Sequence, residues 1–113
     1  MNEINWYNGL NVAITVSDNE GRILYMNNKS ASTFSNSGGR ELIGSNLRDC
    51  HKPGSWEKIC DMLKNGSTNS YTIEKNGVKK LIYQTPWDTD GKVSGLVELS
   101  MEIPFEMEHF IRK

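Results

Sequence analysis

The sequence predicts one α+β domain in which a five-stranded antiparallel sheet carries short helices on one face. Two stretches near the N-terminus and three near the C-terminus alternate apolar and polar residues as strands do, and turn-forming residues separate them. The stretch between these two groups has helical spacing instead. With 113 residues the chain fits a single domain. We expect a core at about residues 12–103, an N-terminal flanking segment (1–11) and a C-terminal tail (104–113).

The first two strands are predicted to form a hairpin. Residues 12–17 alternate between apolar and polar positions, residues 18–21 form a turn that ends in glycine, and residues 22–26 form the return strand. Asn27 and Asn28 follow, and an asparagine side chain can accept a hydrogen bond from a free N–H at the start of a helix. A short helix is therefore expected over residues 29–34.

The longest helix is predicted to begin near Ser55, which is suited to the N-cap, and to end at Gly66, which is suited to the left-handed C-cap. Its apolar residues recur at i, i+3, i+4 and i+7, so they share one helical face. That face is expected to pack on the sheet, with the cysteine acting as a small apolar core residue. The four residues are Trp56, Ile59, Cys60 and Leu63.

The C-terminal part is predicted to be a meander of three strands. Asn76–Gly77 and Asp90–Gly91 are strong signals for two-residue hairpin turns. The last strand should run over residues 92–103, because Pro104 cannot donate a hydrogen bond to the sheet. Residues 105–112 are expected to form a short amphipathic helix.

Alternation along the last strand separates its two faces. We expect Val97 and Leu99 on the face that the helices cover, which places Glu98 on the outer face. By the same argument, Leu96 and Ile82 are expected on the outer face.

Composition and charge exclude several classes of protein. Thirteen basic residues balance fourteen acidic ones, so there is no basic footprint for nucleic acid. No stretch approaches a membrane span, and the N-terminus lacks the pattern of a signal peptide. Two cysteines do not make a disulfide framework. These features are typical of a cytoplasmic protein that binds neither nucleic acid nor membrane. No catalytic motif is present, so an enzyme is not expected.

Four aromatic residues are candidates to line a ligand pocket between the long helix and the sheet, with polar groups from two residues that precede the helix. Pockets of this kind are apolar with a few polar groups that orient the ligand. The alternatives are core packing for the aromatic side chains, and loop or backbone hydrogen bonds for the polar ones. The ligand-binding candidates are Asn46, His51, Trp56, Tyr71, Tyr83 and Trp87.

Cys50 and His51 form a second candidate constellation, as a reactive pair or as haem or metal ligands. Neighbouring side chains point in different directions in both strands and helices, which argues against a working pair. No C-x-x-C-H motif is present for covalent haem. A structural role is the interpretation that we adopt, with pocket lining or haem or metal binding as alternatives.

Three segments together resemble a PAS domain: VAITVSDNEGRILYMNNKSASTF over residues 12–34, ELIGSNLRDCH over residues 41–51, and GKVSGLVELSMEI over residues 91–103. NLRDCH, followed by a proline, is also similar to a subgroup in small bacterial PAS proteins. The resemblance implies a sensory or regulatory module in signal transduction that binds a small apolar or aromatic ligand or a partner protein. The alternatives are a dimerisation domain without a ligand, and a haem or metal sensor.

The resemblance has two departures. Flavin-binding photosensors of this family have Gly-x-Asn followed by a reactive cysteine, whereas here Asn46 is followed by Leu47, so flavin photochemistry is not expected. The chain ends soon after the last strand, which suggests that it signals to a partner protein in trans, self-associates, or is an excised piece. Apolar residues in both terminal segments predict a homodimer built from the N-terminal segment and the outer sheet face. A monomer whose segments fold back on its own sheet is the alternative.

Overall fold

The computed structural model, which describes residues 4–50 and 53–113, has a five-stranded antiparallel sheet in the order β2-β1-β5-β4-β3 with helices on one face. The predicted fold class is confirmed. No helix in the described ranges is long and apolar enough to cross a membrane. Two short 3-10 turns, Ser35–Ser37 and Gly39–Leu42, lie between α1 and α2. The regular elements are β1 (Ala13–Asp18), β2 (Ile23–Met26), α1 (Asn28–Thr33), α2 (Leu47–Cys50), α3 (Pro53–Asn65), β3 (Asn69–Lys75), β4 (Val78–Thr89) and β5 (Lys92–Ile103).

The predicted turns form as their chemistry requires. Asn76 and Gly77 have φ of 54° and 79°, and Asp90 and Gly91 have φ of 52° and 83°. Positive φ at both central residues belongs to the type I′ turn, whose twist matches that of the flanking strands. Both hairpins of the meander are therefore closed by the residues that the sequence indicated.

Of the two asparagines that the sequence offered as the N-cap of α1, Asn27 takes that position, one residue earlier than the expected helix start required, and it also joins three parts of the fold. Its side-chain oxygen accepts from the N–H of Ser30, which caps the helix, and from the N–H of Ile14 in β1. Its amide nitrogen donates to the carbonyl oxygens of Tyr7 and Val12, each at 2.8 Å. The side chain is fully buried, so one asparagine ties the N-terminal segment, β1 and α1 together.

The long helix packs on the sheet as predicted, with two differences. It begins at Pro53, so Ser55 lies inside the first turn instead of at the N-cap. Cys60 is exposed, and Met62 is buried beside Ile59. At 3.6 residues per turn, Cys60 lies away from a face centred between Ile59 and Met62, so the predicted core role of the cysteine is wrong.

The core lies between the helices and one face of the sheet. Ile23, Met26, Leu47, Ile59, Met62 and Leu96 form one buried cluster. Trp56 and Leu63 pack against this cluster, as predicted from the helical spacing, and Leu42 joins them.

The two faces of the last strands are reversed relative to the prediction. Leu96 and Ile82 are buried, with 3% and 5% of their surface exposed, and Leu96 belongs to the core beneath the helices. Val97 and Leu99 lie on the outer face in a groove beside the N-terminal segment. Glu98 therefore lies on the helix-covered face, where it lines a cavity.

The C-terminal tail does not form the predicted helix. Residues 104–113 carry neither helix nor strand, and Phe110 and Ile111 are 64% and 84% exposed. A helix of this length is marginal in water unless its apolar face packs against other elements. These apolar side chains have no such packing, which explains the absence of the helix.

Candidate functional site

The first cavity, which we call the helix-side cavity, lies between the segment that runs from the C-cap of α1 to the start of α2 and strands β1, β2 and β5, and it measures about 380 Å³. Five apolar side chains form most of its wall: Ile23, Met26, Phe34, Leu42 and Leu47. Its polar lining residues are Thr15, Ser37 and Glu98. The hydroxyl groups of Thr15 and Ser30 share a hydrogen bond of 2.6 Å. An apolar wall with a few fixed polar groups is typical of a site for a small molecule.

The second cavity, which we call the amide cavity, lies between α3 and the β3–β4 hairpin and measures about 420 Å³. Its floor carries two carboxamides, because Asn69 Nδ2 donates to Gln84 Oε1 at 3.0 Å. Ile59 and Met62 form its apolar side. Tyr71, Ser55, Ser70 and Lys58 complete the lining.

The two cavities are neighbours on the same sheet face. Gln84 of the amide cavity and Glu98 of the helix-side cavity are paired across β4 and β5. The pKa of the Tyr71 phenol is raised above its usual 10.0, first by burial and then by the charge of Glu98. Tyr71 is therefore protonated at neutral pH, and its proton affinity depends on a group that lines the neighbouring cavity.

The structure places three of the predicted ligand residues on the helix-covered side of the sheet, but they do not meet. Tyr71 lines the amide cavity. Trp56 packs over Gly21, where a side chain would bring Cβ to 2.5 Å from the indole Cζ3, and the Arg48 guanidinium lies 5.1 Å from the Trp56 ring centre. Asn46 donates to the Glu20 carbonyl at 2.9 Å and joins the β1–β2 turn to α2. These contacts join loops, which is the alternative role that the sequence suggested for Asn46.

The other predicted residues are not brought to these cavities. Tyr83 pairs with Leu99 on the outer face. Trp87, four residues further along β4, lies over Gly95 and donates from Nε1 to the Ser17 carbonyl at 3.0 Å. The single aromatic pocket expected from the sequence is therefore divided between two faces. His51 lies outside the described residues.

The outer face carries an apolar groove of about 480 Å³. The Tyr7 ring meets the Tyr25 ring edge-on, with 5.6 Å between centroids, so part of the N-terminal segment folds back on its own sheet. Trp6 lines the groove but remains 64% exposed. The groove is lined by Trp6, Tyr7, Ile14, Val16, Tyr25, Val97 and Leu99.

Sequence reasoning missed the polar residues of the helix-covered face. Thr15, Glu98, Gln84 and Asn69 stand at positions that alternation assigned to solvent or did not single out. The turn at Asn76–Gly77 held a usable signal, because a two-residue turn fixes the strand register. Counting back from it pairs Asn69 with Gln84, as the structure has them.

No protein-family model matches the chain, and no curated protein sequence matches it either. Several solved structures do match the chain. The PAS domain of a protein from Colwellia psychrerythraea is 19% identical with a TM-score of 0.64, over 87% of this chain and 91% of that one.

Two further solved structures come from Vibrio cholerae. The Aer2 receptor, described as a dual PAS-heme oxygen sensor, is 18% identical with a TM-score of 0.62, over 82% of this chain and 95% of that one. The VqmA dimer without target DNA is 15% identical with a TM-score of 0.68, over 96% of this chain and 55% of that one. A second VqmA structure is bound to DPO. The sheet order, the helix-covered face and these likenesses together establish that the chain has the PAS fold.

Proposed function

We propose that the chain is a sensory PAS module that binds a small, largely apolar molecule in the helix-side cavity. The observation that carries the proposal is the cavity itself: about 380 Å³ with an apolar wall and with Thr15 and Glu98 on its sheet side. Solved neighbours with this fold include a PAS-heme oxygen sensor and a receptor bound to DPO. Their ligands support a ligand-binding role and do not identify the ligand of this chain.

The hydrogen bonds around Asn27 provide a route from the cavity to the N-terminal segment. Met26 and Thr15 line the cavity, and Asn27 follows Met26 directly. The Asn27 side chain holds the Tyr7 carbonyl and the N–H of Ile14. A ligand that moves Met26 or β1 would therefore change how the N-terminal segment lies on the outer face, where a partner protein in trans can detect the change.

Native mass spectrometry of the protein purified from its own host tests the proposal. We expect the native mass to exceed the mass of the denatured chain by the mass of a bound ligand. The Ser37→Phe variant should lose this excess mass, because its phenyl ring fills a cavity-lining position. Ser35→Phe is the matched control, since Ser35 is exposed in the same 3-10 turn and does not line the cavity. An unliganded native protein, or a ligand retained in Ser37→Phe, would refute the proposal.

Self-association through the outer face is a second candidate function. The groove there is apolar, and Trp6 at its border is 64% exposed. Exposed apolar surface of this kind marks interfaces, and two-fold homodimers are the commonest assembly. The sequence predicts Leu96 and Ile82 on this face, whereas the structure places Val97 and Leu99 there.

Sedimentation equilibrium over a wide concentration range tests the dimer. We expect Trp6→Ala to weaken it, with Phe110→Ala, which changes a similarly exposed tail residue outside the groove, as the matched control. A single 12.8 kDa species throughout would exclude the dimer. Weakening by Phe110→Ala alone would place the interface elsewhere.

A further inference from the structure

The two edges of the sheet differ in how far the rest of the chain covers them. At one edge, β2 has four residues, and Ile23 exchanges backbone hydrogen bonds with Gly44 and Ser45 in the loop before α2. At the other edge, β3 has seven residues, of which six are exposed, and its pairing with β4 shows no register shift. A long, regular edge strand is a template for pairing with another chain, whereas a short or covered one is not.

The turn at Asn76–Gly77 determines which backbone groups of β3 point outward. Lys75 and Val78 flank this two-residue turn and are paired, so they exchange both hydrogen bonds of the first narrow pair. Because bonded pairs alternate along an antiparallel ladder, every second residue counted back from Lys75 bonds inward to β4. The residues between them present their N–H and C=O groups at the open edge. These residues are Ser70, Thr72 and Glu74.

The sequence of β3 is complementary to itself in the antiparallel direction. When two copies meet about a two-fold axis at Thr72, Ser70 of each copy lies opposite Glu74 of the other, and these pairs exchange backbone hydrogen bonds. Tyr71 of each copy lies opposite Ile73 of the other, and an aromatic side chain opposite a β-branched one favours strand association. Tyr71 and Ile73 are 45% and 40% exposed, so the pairing buries apolar surface on both copies.

Strand length and charge select this axis. Thr72 is the middle residue of β3, so an axis there pairs the whole strand and opposes no like charges. An axis at Tyr71 or Ile73 leaves one end of the strand unpaired and reduces the hydrogen-bonded pairs from three to two. An axis at Glu74 would place two carboxylates directly opposite each other, which destabilises a strand pair.

We propose that the open edge of β3 binds the same edge of a second copy of this chain, so that two five-stranded sheets join into one continuous antiparallel sheet. The interface consists of one strand from each copy, and a contact of this size belongs to the weak, transient class. The edge shares no residue with the helix-side cavity or with the outer groove. The proposal is therefore independent of both functions proposed above.

Amide hydrogen exchange of the ¹⁵N-labelled full-length protein, measured by NMR in dilute and in concentrated solution, tests the pairing. We expect concentration to slow exchange at Ser70, Thr72 and Glu74, because these amides exchange only from the unpaired chain. When half of the chains are paired, their exchange rates should fall about twofold. The Ile73 amide bonds inward to β4 and is the internal control, whose exchange should depend on concentration much less. Exchange at the three outward amides that is independent of concentration would overturn the proposal.

Two variants at Thr72 test the central hydrogen bond. Thr72→Pro removes an outward N–H on an edge strand, where proline is tolerated, and should abolish the concentration dependence at Ser70 and Glu74. Thr72→Val keeps the N–H and a β-branched side chain, so it is the matched control and should retain the dependence. Trp6→Ala should also retain it, because Trp6 lines the outer groove. A dependence that survives Thr72→Pro, or that Trp6→Ala removes, would overturn the proposal.

Two charged variants test the position of the axis without changing the backbone. Thr72→Lys and Thr72→Glu each place like charges opposite each other across an axis at Thr72, so each should weaken the pairing. An equimolar mixture of the two variants places opposite charges there and should restore the slowed exchange. Such a result requires two chains to meet at this residue. A mixture that pairs no better than either variant alone would overturn the proposal.

Discussion

Among the glycines that the structure describes, Gly95 is the one at which an added methyl group should lower the free energy of unfolding most. An ideal Cβ there would overlap the Ser17 carbonyl oxygen and would lie 2.7 Å from Trp87 Nε1 and 2.8 Å from Asp18 Cα. Two of these three atoms belong to the backbone of β1, so no side-chain rotation relieves the clash. In Gly95→Ala the end of β1 must move away from β5, which breaks the Asp18–Gly95 pairing and the Trp87 hydrogen bond.

The expected loss of unfolding free energy is about 3 kcal/mol. Overpacking a close contact costs about 1–3 kcal/mol, and the lost hydrogen bond adds about 1 kcal/mol. For a domain of this size the loss corresponds to a melting temperature lower by about 10 °C. Urea unfolding followed by tryptophan fluorescence measures it, and the slope against urea should not change.

Gly9→Ala is the matched control for this measurement. Gly9 has no positive φ, and apart from its two chain neighbours no residue that the structure describes has an atom within 4 Å of its ideal Cβ. The stability of the Gly9→Ala variant should therefore stay within about 0.5 kcal/mol of the parent. If Gly95→Ala proved as stable as Gly9→Ala, the close approach of β1, β5 and Trp87 would be wrong.

Three further changes test other parts of the structure. Asn27→Ala should cost about 2–4 kcal/mol in urea unfolding, because it strips four hydrogen bonds from a buried side chain; a loss below 1 kcal/mol would contradict its joining role. Leu96→Ala should cost about 2–5 kcal/mol, and Val97→Ala about 1 kcal/mol; the reverse order would restore the faces predicted from the sequence. Glu98→Gln should lower the pKa of Tyr71, since a nearby carboxylate disfavours the phenolate. Phenolate absorbance, assigned with the Tyr71→Phe variant, measures this pKa. An unchanged pKa in Glu98→Gln would show that the Glu98 charge does not act on Tyr71.

Local chemistry was sufficient to predict the fold class, the hairpin turns and the cap of α1. Asn76–Gly77 and Asp90–Gly91 each specify a turn through the backbone angles that they tolerate. Asn27 specifies a helix start through its short side-chain acceptor. These features depend on a few neighbouring residues, which is why sequence alone contains them.

The assignment of faces failed because alternation shows which residues share a face but not which face the helices cover. Leu96 and Ile82 do share a face, as predicted, but it is the helix-covered one. The register between β4 and β5 was also not predictable. Pairing outward from the turn at Asp90–Gly91 would place Tyr83 opposite Glu98. A register shift between Trp87 and Asp88 instead pairs Tyr83 with Leu99. The extra residue in β5 changes every later pairing with β4 by one position, and no local signal in the sequence marked this irregularity.

The reversal of the two faces places polar side chains beneath the helices and apolar side chains in the outer groove. Polar side chains on the helix-covered face would cost free energy if they had no partners. Thr15 bonds to Ser30, and Asn69 bonds to Gln84, so the protein can fold before any ligand binds.

These same polar groups do not fill the space that larger apolar side chains would occupy. The apolar residues of β5, such as Val97, are displaced to the outer face, where the N-terminal segment covers them only in part. A single alternation thus leaves a cavity on one side of the sheet and exposed apolar surface on the other. A ligand that shifts β1, which contributes Thr15 to one side and Val16 to the other, would act on both surfaces at once.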